Sequence, residues 1–190
     1  MINLNPNIDL LNYYWFQNGF NDSEIEKIND LASLRETNKS TILGNIRDDS
    51  IRSSSNSWLE VSEDTNWLYE KFISFAKEAN NVLWNFYLDS VIDSFQYTIY
   101  DSLNSGHYDW HLDLGPGVPR KISVVCFLDQ KDVDYGGGDL QYLTGSIPKT
   151  FPSNKGAVVL FPSFWLHRVT PVTWGLRKTL VLWLGGSFLR

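Results

Sequence analysis

The chain has 190 residues, a formal net charge of -6 at pH 7 and 43% hydrophobic residues. Its hydrophobic content excludes an intrinsically disordered chain, and its length is sufficient for one domain with a substantial core. No run of basic residues could gather the phosphates of a nucleic acid, which argues against a nucleic-acid partner.

The N-terminal segment MINLNPNIDLLNYYWF has neither the basic start nor the continuous apolar run of a signal peptide. No later segment holds the roughly eighteen uncharged apolar residues of a membrane-spanning helix. The single cysteine, Cys126, lies in the apolar run ISVVCFL and leaves no disulfide framework. We therefore expect a cytoplasmic protein with no membrane partner.

Two helical patterns precede residue 90. The first, NDSEIEKINDLASL, offers Asn21 or Asp22 as an N-cap and has apolar residues at helical spacing, which predicts a helix over about 22–34. The second, SEDTNWLYEKFISFAKEANNVLWNFYL, has apolar residues at every third or fourth position. We expect this second helix to pack along one face of a sheet.

Beyond residue 91, short apolar or alternating runs are separated by turns rich in Gly, Pro, Asp and Asn. The runs are SFQYTIY, KISVVCFL, GDLQYL, GAVVLFP and KTLVLWLG. This pattern is typical of an antiparallel sandwich or barrel. The sequence predicts a single α+β domain over 1–190, with a helical N-terminal part over about 1–90 and a jelly-roll core over about 91–188.

A candidate metal site begins in the stretch HYDWHLDLGPG. Side chains two residues apart on an extended strand project to the same side, so His111 and Asp113 can reach one ion. His167, in FPSFWLHRVTPV, would add a third ligand near the mouth of the sandwich. Two histidines and one carboxylate suit non-haem Fe(II). In the alternative interpretation they are ordinary polar or hydrogen-bonded residues, and these residues alone leave both interpretations open.

Arg177 directly precedes the apolar run KTLVLWLG, which is predicted to be a mostly buried strand. A buried arginine requires a partner, and its rigid fork suits the far carboxylate of a dicarboxylate cosubstrate. Thr179 would share the face of Arg177 and could donate its hydroxyl to the same carboxylate. The alternative is a surface arginine on an edge strand.

Five blocks occur in order between about Ile51 and Gly185: IRSSSNSWL, YDSLNSGHYDWHLD, FLDQKDVDYGGGDLQY, GAVVLFPSFWLHRVTPV and GLRKTLVLW. In this order they resemble the iron(II)- and 2-oxoglutarate-dependent dioxygenases, most closely the prolyl 4-hydroxylase-like branch. The resemblance implies a double-stranded β-helix (jelly-roll) core with N-terminal helices packed on one sheet. It also implies Fe(II), 2-oxoglutarate and O2, with ascorbate as an accessory reductant.

The resemblance also implies roles for individual residues. The two histidines and the aspartate would bind the iron, and Arg177 would anchor the distal carboxylate of 2-oxoglutarate. Tyr100 matches a family tyrosine that hydrogen-bonds the cosubstrate, although the loop after it is two residues longer than is common. Phe127 stands where relatives often carry a tyrosine, and a phenyl ring cannot donate that hydrogen bond. Thr179 is a candidate to compensate for it.

For the prime substrate, the resemblance places Tyr108, Arg120 and Trp183 at positions that line a peptide-binding cleft. Arg52 lies in the block near a mobile loop, and loops that include 44–58 would determine substrate choice. Each residue has a simpler alternative, since Trp183 could be core and Arg52 a solvated loop residue. The GGGD run matches a Gly-Gly-acid turn with a structural role.

The implied reaction hydroxylates a C–H bond and releases succinate and CO2. The leading substrate is a prolyl residue in a peptide or protein, and the acidic chain suits a neutral or basic peptide better than a polyanion. One alternative keeps the chemistry but acts on a free amino acid, another small molecule or a nucleobase. A second alternative is a non-catalytic jelly-roll binding module.

Overall fold

The structure is a computed structural model that describes residues 9–42, 46–114 and 119–187. Its helices are α1 (Asp22–Ser33), α2 (Asn66–Ala79), a π-helical turn (Asn80–Trp84) and a 3-10 turn (Ser102–Asn104). Its strands are β1 (Tyr14–Phe16), β2 (Asn38–Lys39), β3 (Arg52–Ser53), β4 (Ser55–Leu59), β5 (Ser90–Asp101), β6 (His107–His111), β7 (Arg120–Phe127), β8 (Tyr135–Gly137), β9 (Leu140–Leu143), β10 (Lys149–Thr150), β11 (Val158–Pro162), β12 (Leu166–Val169) and β13 (Val172–Gly185).

Helix α1 begins where the sequence predicts it, because Asn21 forms a complete capping box. The Asn21 side chain accepts a hydrogen bond from the Glu24 backbone at 3.0 Å, and the Glu24 carboxylate accepts one from the Asn21 backbone at 2.9 Å. Helix α2 buries Leu68, Phe72 and Ala76 in a core shared with the larger sheet. The predicted packing of the second helix on one sheet is therefore confirmed.

Two antiparallel sheets form the core. The larger has the strand order β1-β11-β7-β13-β5-β4-β2, with β8 also paired to β13. The smaller has the order β10-β9-β12-β6-β3. An apolar cluster that includes Phe127, Leu140, Tyr142, Phe161 and Val169 fills part of the space between them. This is the double-stranded β-helix arrangement that the resemblance implies, and each of the five predicted apolar runs contains a strand.

Strand β13 separates two environments by simple alternation. Leu180, Leu182 and Leu184 face the helices and belong to the core that contains α2. The intervening Arg177, Thr179, Val181 and Trp183 line a cavity on the opposite face. Because the period of a strand is two residues, one strand contributes both to the helix-side core and to the polar interior of the sandwich.

Some sequence-based expectations were wrong in detail. The predicted helical part over about 1–90 also contains β1 to β4. Part of the predicted substrate loop over 44–58 forms β3 and the start of β4, and its residues 44 and 45 lie outside the described residues. In these cases strand pairing overrides a local pattern too short or too polar to indicate a strand.

Cys126 is fully buried in the helix-side core, as its apolar context predicts. Among the helices that the structure describes, none is long and apolar enough to cross a membrane.

Candidate metal and cosubstrate site

Pairing between β6 and β12 brings the three predicted metal ligands together. His111 lies directly opposite His167 in this antiparallel pair. Asp113 lies two residues beyond the end of β6, where its backbone N–H donates to the Ser163 carbonyl at 3.0 Å. One potential ligand atom from each of the three side chains lies within 4.8 Å of the others. The residues that the sequence identified as candidates therefore form one compact cluster.

Backbone carbonyls orient both imidazole rings. Nδ1 of His111 lies 2.8 Å from the Asp109 carbonyl oxygen, and Nδ1 of His167 lies 2.9 Å from that of Trp165. A carbonyl only accepts, so each Nδ1 carries the proton and each Nε2 keeps a lone pair. These Nε2 atoms lie 3.7 Å (His111) and 3.5 Å (His167) from the Asp113 carboxylate. All three groups thus present their ligand atoms to a common point.

The Asp113 carboxylate is held by two donors on the larger sheet. Its Oδ2 accepts hydrogen bonds from the Ser123 hydroxyl at 2.6 Å and from the Trp183 indole N–H at 2.8 Å. The Ser123 hydroxyl also lies 3.0 Å from that of Ser163. Outer partners of this kind orient a ligand and tune its affinity for a metal.

The protonation states also suit a divalent cation. Burial and, to a smaller extent, the neighbouring His167 together lower the pKa of His111 to about 3. Burial opposes ionisation of Asp113, but the two histidines and the hydrogen bonds from Ser123 and Trp183 outweigh it and lower the pKa of this carboxyl. A neutral imidazole and a charged carboxylate are the forms that bind metal.

The cluster lines an open cavity of about 700 Å³ that Arg177, Thr179 and Tyr100 also line. Arg177 is 1% exposed, and its Nε has no hydrogen-bond partner among residues 9–42, 46–114 and 119–187. Its guanidinium carbon lies 5.1 Å from the ring centre of Tyr100 and 5.5 Å from that of Phe127.

A buried guanidinium of this kind requires an anion, because the rings around it compensate only part of its lost hydration. No carboxylate in the described part of the chain forms an ion pair with Arg177. Two imidazoles and a carboxylate suit Fe(II), and the isolated Arg177 suits the far carboxylate of 2-oxoglutarate. The residues present therefore fit both groups.

Two of the predicted substrate residues form a stack above the metal cluster. The ring of Tyr108 lies 3.5 Å from that of His111 at an interplanar angle of 13°, and the Arg52 guanidinium lies 4.5 Å from the Tyr108 ring centre. Arg52 is buried and donates to Ser54 at 3.0 Å and to Gln96 at 3.1 Å. Arg52 is therefore neither a solvated loop residue nor unpaired.

The other two predicted substrate residues lie beside Asp113. Trp183 lines the cavity and donates to the Asp113 carboxylate, while the Arg120 guanidinium lies 4.0 Å from the Trp183 ring centre. Arg120 also forms an ion pair with Asp93, which has a positive φ of 66° where the register of β5 against β13 shifts. Trp183 thus orients a candidate iron ligand. Substrate contact by these residues stays a prediction.

Two serines near Asp113 support the metal cluster, and the sequence patterns do not predict them. Ser123 and Ser163 had no assigned role, although both are fully buried near Asp113. One signal was present, because Ser123 interrupts the otherwise apolar run KISVVCFL. A buried hydroxyl in such a run needs a partner, and here the partner is a candidate iron ligand.

The fold and the cluster define a class of protein, a β-sandwich with the two-histidine, one-carboxylate triad of non-haem iron oxygenases. Residues 95–185 match the profile of the 2OG-Fe(II) oxygenase superfamily. This match and the triad together support assignment to that superfamily, and they imply Fe(II) as the metal and 2-oxoglutarate as the cosubstrate.

Curated relatives support this assignment over part of their length. A PKHD-type hydroxylase of Synechococcus sp. (strain CC9605) is 42% identical over 80 residues, which are 40% of this chain and 36% of the relative. A PKHD-type hydroxylase of Teredinibacter turnerae is 40% identical over 88 residues, or 43% of this chain and 38% of the relative. The matches thus cover little more than a third of each relative.

Solved structures share the fold. A prolyl hydroxylase from Trichoplax adhaerens, solved in complex with a peptide fragment of the hypoxia inducible factor oxygen degradation domain, has a TM-score of 0.77 and 18% identity. That comparison covers 91% of this chain and 83% of the other. A Pseudomonas putida prolyl-4-hydroxylase has a TM-score of 0.75 and 19% identity, with 92% of both chains covered. At these identities the likeness shows the fold.

Proposed function

We propose that this protein hydroxylates a prolyl residue of a peptide or protein, with Fe(II) as its metal and 2-oxoglutarate and O2 as cosubstrates. The proposal rests on a difference between the arginines that line one cavity. Arg177 is buried without a hydrogen-bond partner at Nε, whereas Arg52 and Arg120 already have partners within the described chain. The cavity therefore provides one buried guanidinium for the cosubstrate and an otherwise charge-compensated space for the substrate.

Bound iron and 2-oxoglutarate would supply the oxidising chemistry, and the residues of this chain position the reactants. His111, Asp113 and His167 would hold the metal, and backbone carbonyls at Nδ1 orient both imidazoles so that Nε2 is the ligand atom. Arg177 would fix the distal carboxylate of 2-oxoglutarate, with Thr179 on the same face of β13. A requirement for ascorbate stays a prediction.

The mouth of the cavity favours an uncharged, extended substrate. Ile51, Trp58, Leu112 and Leu114 line the cavity, and their side chains are 37% to 45% exposed. Exposed apolar side chains around a polar site are typical of a binding groove. A prolyl ring and the residues on either side of it could cover this apolar rim, while the peptide backbone stays neutral.

The charged residues argue against the alternative substrates. A free amino acid or a nucleotide presents a carboxylate or phosphate that needs its own cation inside the cavity. Arg52 is hydrogen-bonded to Gln96, Arg120 is paired with Asp93, and Lys39, which lines the cavity, is exposed to solvent. The names of the similar proteins support the same choice, since they include PKHD-type hydroxylases and a prolyl hydroxylase solved with a peptide fragment.

The experiment is a screen of proline-containing peptides with Fe(II), 2-oxoglutarate and O2, read by peptide mass and by succinate. We expect one added oxygen on proline in matched stoichiometry with succinate. Arg177→Met should weaken 2-oxoglutarate binding by about thirtyfold or more, because a buried carboxylate loses its partner, and Arg177→Lys should retain part of the affinity. Succinate formation that is independent of every peptide, but stimulated by a small molecule, would contradict the proposal.

A further inference from the structure

The sheet register places Tyr135 beside Arg177. Tyr135, at the start of β8, pairs with Gly175 of β13, and Phe127 of β7 pairs with Thr179 of β13. Arg177 lies midway between Gly175 and Thr179 on the same face of the strand. Tyr135 and Phe127 are therefore its two diagonal neighbours, at a separation that long and aromatic side chains can bridge.

Gly138 allows these side chains to approach each other. A Cβ added at Gly138, where φ is +61°, would lie 2.8 Å from Cδ of Arg177 and 3.3 Å from Cε2 of Tyr135. The edge of the Tyr135 ring and the stem of Arg177 thus border the same small space, which stays open because residue 138 has no side chain.

The Tyr135 hydroxyl is an unsatisfied donor. Tyr135 is 1% exposed, and its hydroxyl has no hydrogen-bond partner in the described portion of the chain, as is also true of Nε of Arg177. The nearby ammonium of Lys131 is paired with Asp139. Buried hydroxyls without a partner are rare in proteins, and two orphaned donors on neighbouring side chains indicate a common acceptor.

We propose that the Tyr135 hydroxyl is a second donor to the anion held by Arg177, which under the proposed function is the distal carboxylate of 2-oxoglutarate. A carboxylate offers about four acceptor sites, more than one guanidinium fork uses. Phe127, the other diagonal neighbour, is buried and has no hydrogen-bonding side-chain atom. Tyr135 therefore contributes to affinity for the dicarboxylate without touching the metal cluster.

The test is a titration of Mn(II)-loaded protein, in which no turnover occurs, with 2-oxoglutarate and with 2-oxopentanoate. The second ligand carries a methyl group in place of the distal carboxylate. We expect Tyr135→Phe to weaken 2-oxoglutarate binding by about tenfold, the usual effect of a hydrogen bond to a charged group, and to leave 2-oxopentanoate binding unchanged. The melting temperature of the ligand-free variant should stay equal or rise, because an unsatisfied buried hydroxyl is removed.

Adding Phe127→Tyr to Tyr135→Phe provides a rescue control, since it returns a hydroxyl on the opposite side of Arg177. We expect partial recovery of 2-oxoglutarate affinity. Equal 2-oxoglutarate affinity in wild type and Tyr135→Phe would overturn the role of Tyr135 alone, as would equal losses for the two ligands, which indicate a general structural effect. Failure of wild type to bind 2-oxoglutarate would overturn this inference together with the proposed function.

Discussion

The inner and outer walls of the cavity are both polar, but they differ in how their polar atoms are satisfied. On the inner wall, formed by the metal cluster and Arg177, the ligand atoms point at one another and the guanidinium Nε has no partner. On the outer wall, formed by Arg52, Gln96 and Trp58, the arginine is bonded to its neighbours and the tryptophan is partly exposed. Unsatisfied groups mark where ligands bind, and satisfied groups mark the scaffold around them.

Because of this difference, the inner wall defines its ligands more narrowly than the outer wall does. The inner wall requires an ion and an anion of particular geometry, so its chemistry is defined by few residues. The outer wall adjoins the exposed apolar residues Ile51, Leu112 and Leu114, so it limits the substrate only to a broad chemical class. Substitutions on the two walls should therefore separate metal and cosubstrate binding from substrate binding.

The largest effect is expected from removing an inner ligand. His167→Ala should weaken Fe(II) or Mn(II) binding by more than about a hundredfold, since loss of an outer-sphere partner alone costs roughly ten- to a hundredfold. Succinate formation should be abolished. The measurement is metal titration by calorimetry. His107→Ala, at a histidine whose ring nitrogens lie near the Ser105 and Ser50 carbonyls, is the control and should keep wild-type affinity.

A smaller loss of metal affinity is expected when Trp183, the hydrogen-bond donor to Asp113, is replaced. Trp183→Phe removes the indole donor to Asp113 while keeping an aromatic ring, so metal affinity should fall by about ten- to a hundredfold. The same titration measures it. Trp174→Phe changes an exposed tryptophan on the same strand and should have no effect. Unchanged metal affinity in Trp183→Phe would show that Ser123 suffices to orient the carboxylate.

A backbone change next to the inner wall should affect stability and cosubstrate binding together. Gly138→Ala places a Cβ within 2.8 Å of Arg177 at a positive φ, so we expect a loss of about 1 to 3 kcal/mol in the free energy of unfolding, with weaker 2-oxoglutarate binding. Chemical denaturation of the metal-free protein measures the first quantity. Gly145→Ala has no atom within 4 Å of its new Cβ and should be neutral.

The smallest effect is expected from replacing Trp58 on the outer wall. Trp58→Ala should raise the KM for a peptide substrate by about three- to tenfold, because part of one aromatic contact is lost. The affinities for metal and 2-oxoglutarate should not change. Steady-state kinetics with peptide varied at saturating 2-oxoglutarate measures the effect. Trp15→Ala, at a similarly exposed tryptophan that does not line the cavity, should leave the KM unchanged.

The inner wall could be predicted from the sequence because its chemistry depends on residue type and two-residue spacing. His111 and Asp113 have the two-residue spacing of a strand face, and Arg177 adjoins the recognisable apolar run of β13. The outer wall could not, since the short strands β3 and β4 carry mostly polar residues and are held by pairing to distant strands. The alternative that Trp183 is simply a core residue misses its hydrogen bond to Asp113. That contact depends on the pairing of β13 with β7, which the local sequence does not show.

The register of β6 against β12 has a kinetic consequence. His111 and His167 face each other across two strands that are far apart in the chain, and Asp113 is completed by donors from β7 and β13. Such pairings form late and slowly, because the entropy of closing long loops is lost before the contacts form. His111 and Asp113 are close in the sequence, but the complete three-ligand site with its supporting donors forms only after both sheets have paired.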